Sequence, residues 1–320
     1  MSVEARRRQG LAIRDITIRY TSGGPVVRDL SLDLVPGEVF GLVGPNGAGK
    51  SSLLNCAAGL ITPQSGSIST GEEIITSQPR RAARHLVLMP DPLGVYIDIT
   101  AAEYMKFFAM AYDLPSDTAR ARMARAVERL GLGPWLDHEV ESLSSGWQRR
   151  LALSRVIIAD APIVLLDEPA AGLDVSGRRE LLKLVRGFAA EGRAVLVTSH
   201  ILPELEELAD RFGIIQKGQW TPVFENQVFF TRSELRAGFT QNHWWVECSD
   251  PAAACVLLGS ALAVLEPGLE RVRLIVSNRE QAANMIEILV RGGHRIYHLE
   301  AAGRSLDDVA FNAMQEKPTL

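Results

Sequence analysis

The stretch GPNGAGKSS at positions 44–52 constrains this chain more than any other. It fits the pattern G-x-x-x-x-G-K-[ST]. It lies between an apolar run, VFGLVG (39–44), and a segment from Ser51 to Leu60 that reads as a helix. That strand–loop–helix setting is what makes the pattern specific. Gly44, Gly47 and Gly49 let the loop curl so that successive backbone N–H groups face inward. With the helix N-terminus these groups form an anion site. Gly44, Asn46, Gly47, Ala48, Gly49, Lys50, Ser51 and Ser52 are therefore candidate phosphate contacts. Lys50 can reach β- and γ-phosphate oxygens, and the Ser51 hydroxyl can ligate Mg²⁺.

A second feature complements the first. IVLLDEP (163–169) opens with a continuous apolar run, the pattern of a parallel strand covered on both faces. Such a strand delivers Asp167 to the tip of the sheet, where it can hold Mg²⁺ through water. Glu168, next in the chain, can orient or deprotonate an attacking water. AVLVTSH (194–200) reads as another buried strand, whereas LAIRDITIRY (11–20) and VVRDLSLDL (26–34) alternate as half-buried strands do. Apolar spacing predicts helices over 101–112 and 117–130. Strands alternating with helices predict an α/β fold with a partly parallel core.

Beyond about residue 222 the character changes. HWWVEC, RVRLIV and HRIYHLE read as strands, with helices predicted at 251–263 and 279–291. SLDDVAFNAM places Leu306, Val309, Ala310, Ala313 and Met314 on one helical face. The expected organisation is a domain over 11–222 and a small α+β domain over 225–320.

Composition narrows the partners. Hydrophobic residues make up 47% of the 320, ample for a buried core, and the net charge is −4. That balance gives no electrostatic case for binding nucleic acid. Cys56, Cys248 and Cys255 are not in metal-ligand spacing, and buried thiols in a reducing cytosol are expected. MSVEARRR leads into no apolar run, so no signal peptide is expected. AAACVLLGSALAVL (252–265) is too short to span a bilayer. A soluble protein is expected.

LSSGWQRR (143–150) completes the pattern, and with it the chain resembles the ATP-binding cassette (ABC) ATPases over roughly residues 11–220. The resemblance implies a P-loop NTPase core, an antiparallel β subdomain, and a helical subdomain over about 92–150. LSSGWQRR is similar to the family's signature loop, which contacts the γ-phosphate of ATP held by a second subunit. Ser144 would offer a hydroxyl there, and Gly146 a close backbone approach. Tyr20 matches the aromatic that stacks on adenine. AGLD (171–174), with Asp174, resembles the loop that touches the opposite subunit. His200 matches the switch histidine at the γ-phosphate.

The chain also departs from the family. Ser145 replaces a usual glycine, and Trp147 stands where glutamine is common and would pack on the neighbouring subunit. Asp91, in LMPDPLGVYIDIT (88–100), replaces a usual glutamine that contacts Mg²⁺. The family implies ATP and Mg²⁺, catalytic roles for Glu168, His200 and Lys50, and metal contacts from Ser51, Asp91 and Asp167. It implies pairing with a second ATPase subunit, another copy of the chain or a homologous one, with a homodimer expected, and a separate membrane permease, with the chain on the inner face of the cell membrane. YIDIT and the C-terminal helix resemble the exporter branch. A non-transport ABC ATPase and an importer subunit are the alternatives.

Overall fold

The computed structural model describes residues 10–20, 23–94, 96–199, 202–222, 227–234, 243–259, 262–265, 271–276 and 279–301. They form two compact units divided between Phe229 and Phe230. His200 and the segment SLDDVAFNAM lie outside the described residues.

In the first unit, β1 (Leu11–Arg19) and β2 (Pro25–Leu34) pair antiparallel with the alternating burial that their sequences require. β3 (Val39–Val43) follows and is buried at every position. β4 (Ser65–Thr70) and β5 (Glu73–Ile74) return to the first sheet, whose order is β2-β1-β4-β5. The second sheet adds β6 (Leu86–Met89), β7 (Ile163–Leu166), β8 (Ala194–Ser199), β9 (Arg211–Gln216) and β10 (Gln219–Thr221). Its order is β10-β9-β3-β8-β7-β6. β3 runs parallel to β8 and β9, and β7 runs parallel to β6 and β8. β7 and β8 are buried throughout, because a parallel sheet is covered on both faces.

The two sheets share one core. Ile13, Ile16, Leu30 and Leu32 join Phe40, Leu42, Leu165 and Leu196 in a single apolar cluster. Each such side chain contributes roughly 1.5–3 kcal/mol on full burial. α1 (Lys50–Ala57) packs into the same cluster through Leu53, Leu54 and Cys56. Burial pushes the Cys56 thiol up to about 11, which leaves it unreactive. α1 is shorter than the predicted 51–60 because the chain turns at Gly59, φ 73°. α2 (Pro79–His85), which the sequence reading did not foresee, precedes β6.

A helical layer then leaves the sheet. α3 (Ala101–Ala111) starts at a capping box in which Thr100 and Glu103 exchange hydrogen bonds. α4 (Ser116–Leu130) stops at Gly131, φ 66°. α5 (Ser145–Ala159) returns toward the sheet, and Arg122 of α4 donates to its last carbonyls, Ile158 and Ala159, at 2.9 Å each. α6 (Val175–Ala190) and α7 (Leu202–Leu208) complete the unit. Among the described residues no helix is long and apolar enough to cross a membrane.

β11 (Phe229–Thr231) falls at the division between the units. The second unit is β12 (His243–Cys248), α8 (Pro251–Leu258), β13 (Ala263–Leu265), β14 (Val272–Ile275), α9 (Arg279–Arg291) and β15 (Ile296–Ala301). Its sheet runs β13-β14-β12-β15, all antiparallel, which is the split β-α-β arrangement of ferredoxin-like modules. The predicted helix over 251–263 is cut short. Gly259, at φ 82°, ends it at Leu258, and Ala263 pairs with Leu274 in the sheet instead.

One charged cluster ties helix ends to the sheet. Arg193 is fully buried, and donates to Asp160 at 2.5 Å and to Glu191 at 2.8 Å. Arg129 donates to the other Glu191 oxygen at 2.8 Å. Burial alone would raise the Glu191 carboxyl, but Arg193, Arg129 and Arg125 outweigh it and hold it below the ordinary 4.5. A lowered folded value adds stability that is complete above the unfolded value and vanishes as pH falls through the folded one. Glu191→Gln should therefore lose about 1.5 kcal/mol at pH 7, the scale of a hydrogen bond to a charged group. Urea unfolding at pH 7 and below pH 4 should show the difference from the parent closing on acidification.

Candidate active site

Three parallel strands bring the predicted site residues to one rim. Val43 pairs with Ser199, and Leu166 with Val197, so β3, β8 and β7 end side by side. The phosphate loop leaves β3, Asp167 and Glu168 leave β7, and Thr198 and Ser199 close β8. Such carboxyl ends are where open α/β sheets bind ligands.

The loop curls as its glycines predict. Gly49 is the N-cap of α1 at φ 109°, where a Cβ would also press on the Val26 carbonyl. At Gly44 a Cβ would strike the Ile215 carbonyl. Lys50 is 6% exposed. Its ammonium donates to the carbonyls of Gly44 at 2.7 Å and Pro45 at 3.3 Å, so it bridges the loop from within. Glu168 Oε1 lies 3.6 Å from it. The pair sets a cation and a carboxylate side by side at the phosphate loop, which suits a phosphate approached by water.

Asp167 is almost wholly buried. Burial raises its carboxyl above the ordinary range, while hydrogen bonds from Ser51 and Thr198 pull the other way. The Thr198 hydroxyl donates to Asp167 Oδ1 at 2.6 Å and accepts from the Glu168 N–H at 2.9 Å. One hydroxyl thus orients both acidic residues. The Glu168 carbonyl accepts from Arg149 at 2.5 Å, and the other arm of that guanidinium donates to Asp91 at 2.9 Å. Asp91 is close enough for its charge to add to the rise at Asp167.

The remaining predicted residues fall in two places. Tyr20 is exposed, and its hydroxyl lies 3.0 Å from the Ser52 hydroxyl, so its ring borders the phosphate loop. Ser144 is the N-cap of α5, with no hydrogen bond from its hydroxyl to the helix. It lines an open cleft of about 390 Å³ with Gly146, Trp147, Gly172 and Asp174. Asp174 caps α6, accepting from Gly177 N–H at 2.7 Å. Trp147 has partners within its own chain. It stacks on Trp135 at 4.9 Å, and the Arg150 guanidinium lies 4.7 Å over its ring.

The family model described as ABC transporter matches residues 27–171. The Nod factor export ATP-binding protein I of Bradyrhizobium diazoefficiens is 34% identical over 209 residues, covering 65% of this chain and 68% of that protein. This chain belongs to the ABC transporter ATP-binding family. The linearmycin resistance ATP-binding protein LnrL of Bacillus subtilis is 34% identical over 198 residues, covering 62% of this chain and 64% of LnrL. The chain thus spans just under two thirds of the length of LnrL. A solved structure titled "Structure of ATP binding subunit of ABC transporter" aligns with TM-score 0.64 and 27% identity. It covers 72% of this chain and 92% of that one.

In this ABC family member the phosphate loop, Asp167 and Glu168 converge, while Ser144 and Asp174 line a separate cleft. Sequence reasoning missed Thr198 and Arg149, which fix the acidic pair of this ABC site. The signal for Thr198 was its place at the end of a buried strand, where a hydroxyl needs a partner. Removing it tests the electrostatics. A carboxylate holds a divalent cation only when ionised. Thr198→Val deletes one hydrogen bond to the carboxylate, so Asp167 should hold its proton to higher pH. The acid limb of Mg²⁺-dependent ATP binding, measured from pH 5 to 8, should move to higher pH. Superimposable profiles would contradict the assignment.

Proposed function

We propose that this chain is the ATP-hydrolysing subunit of an ABC exporter. The observation that carries the reading is the meeting of Lys50, Asp167 and Glu168 at adjoining strand ends, where the glycine-rich loop leaves β3. Water attacks the γ-phosphorus, the bond to the β-phosphate oxygen breaks, and ADP leaves. Glu168 orients the water and takes its proton. Lys50 offsets charge on the γ-phosphate oxygens. Tyr20 stacks on adenine, and His200 contacts the γ-phosphate.

The donors at the site suit Mg²⁺. A hydroxyl (Ser51) and a carboxylate (Asp167) are hard oxygen ligands, already linked to each other. Among the described residues no cluster of three His, Cys, Asp or Glu builds a cation cage. When bound, Mg²⁺ would neutralise charge on the phosphate oxygens.

Residues 11–222 are proposed as the ATPase domain and 225–320 as an accessory domain. Two subunits enclose two ATP molecules, each bound by one subunit's loop and covered by the other's Ser144, Gly146 and Asp174. Ser144 is suited to this, since its hydroxyl is not spent on capping its own helix. The dimer drives a separate membrane permease from the cytoplasmic side. The export direction rests on the names of the Nod factor export and linearmycin resistance relatives.

Glu168→Gln is nearly isosteric and cannot take a proton. It should keep ATP affinity and slow hydrolysis by about a hundredfold or more. With ATP and Mg²⁺ it should elute as a dimer from a sizing column, with ADP as a monomer. Adding Ser144→Arg should abolish the dimer while leaving ATP binding intact. Hydrolysis by Glu168→Gln at the parent rate would refute the catalytic assignment. A dimer that survives Ser144→Arg would refute the role of the signature loop in the partner's site.

A further inference from the structure

We propose that Arg149 is the positioning residue for Glu168, and that Asp91 acts through Arg149 rather than on a bound cation. The proposal rests on the assignment of Glu168 to the attacking water. Arg149 stands one turn into α5, and its side chain is 10% exposed. Its two arms are divided. Nη1 donates to the Glu168 carbonyl at 2.5 Å, and Nη2 donates to Asp91 Oδ1 at 2.9 Å.

Glu168 needs such a hold. Its backbone lies at φ 46°, in the left-handed region that residues with a Cβ disfavour. Thr198 fixes the N–H side of the residue; on the carbonyl side Arg149, at 2.5 Å, reinforces the longer turn bond from the Ala171 N–H at 3.2 Å. Between these bonds the side chain is aimed toward Lys50, 3.6 Å away. Losing the shorter, charge-assisted bond leaves the carbonyl to the Ala171 turn bond alone, so the backbone loosens at this strained residue and the carboxylate moves with it. A displacement of about 1 Å at a reacting group can cost about a hundredfold in rate.

Asp91 supplies the other half. A guanidinium this deeply buried is costly without a counter-charge. Asp91 provides it from the end of the segment that follows β6, and the chain then runs on through 92–100 to α3. One side chain therefore links three elements: α5, the tip of β7, and the loop that opens the helical layer. Lysine could not substitute, because a single ammonium does not present two arms in a fixed plane.

The test is a double-mutant cycle on the full chain, read by ATP affinity, kcat, KM and Mg²⁺ titration. The proteins are the parent, Arg149→Met, Arg149→Lys, Asp91→Ala and the double variant Asp91→Ala/Arg149→Met. Arg149→Met should lower kcat about tenfold to a hundredfold, with KM and ATP affinity within about threefold of the parent. Arg149→Lys should not restore kcat. Asp91→Ala should lower kcat less, with an unchanged Mg²⁺ midpoint. The double variant should be no slower than Arg149→Met alone, because the two residues act as one unit. An Asp91→Ala defect erased by extra Mg²⁺, or a double loss equal to the product of the single losses, would overturn the role given to Asp91. A parent-like kcat in Arg149→Met, or a matching loss of ATP binding, would overturn the role given to Arg149. A parent chain that hydrolyses no ATP would overturn the ATPase reading and this proposal with it. An active parent with unaffected variants would overturn this proposal alone.

Discussion

The in-register parallel pairing of β3, β8 and β7 is the constraint on which the rest of the site depends. Because Val43 lies against Ser199 and Leu166 against Val197, three strand ends reach one rim together. A slip of one residue would turn every side chain to the opposite face. Burial on both faces opposes that slip, because side chains of different shape would have to exchange places in close-packed surroundings. The phosphate loop and the acidic pair are thereby set within a few ångströms of each other. Asp167 bears the cost of this arrangement in a carboxyl raised by burial, and Thr198 returns part of it.

What the sequence made legible is what is local. GPNGAGKSS carries its own turn residues, its own donors and its helix start, so its function could be read without neighbours. IVLLDEP likewise declared a buried strand ending in two acids. The capping residues Thr100 and Glu103 likewise lie three apart and set the start of α3 near the predicted boundary. Ser144 and Gly146 were placed by family pattern. Their cleft with Gly172 and Asp174 is a tertiary feature that joins the starts of α5 and α6.

What stayed hidden is what joins distant segments. Arg149 was visible in LSSGWQRR, but nothing in that stretch says that its arms reach Glu168 and Asp91. Asp91 was therefore assigned to a cation on family pattern, although its structural partner is a guanidinium. Trp147 was expected to meet a neighbouring subunit; nothing in LSSGWQRR foretold that its ring stacks on Trp135 and is covered by Arg150 within its own chain. In the second unit, AVL at 263–265 has the composition of a helix end. It becomes a strand because Gly259 breaks the helix and β14 offers an unpaired edge. Local propensity set neither outcome, and tertiary pairing decided both.

The central claim is that the loop around Lys50 holds ATP for hydrolysis at the tip of this sheet. Release of labelled phosphate from γ-labelled ATP by the purified chain, compared with Lys50→Ala, tests it most directly. The account predicts Mg²⁺-dependent release by the parent and a loss of about a hundredfold or more in the variant, as expected for removing a charge that stabilises the transferring group. Equal release by the two proteins, or none by the parent at any Mg²⁺ concentration, would contradict it.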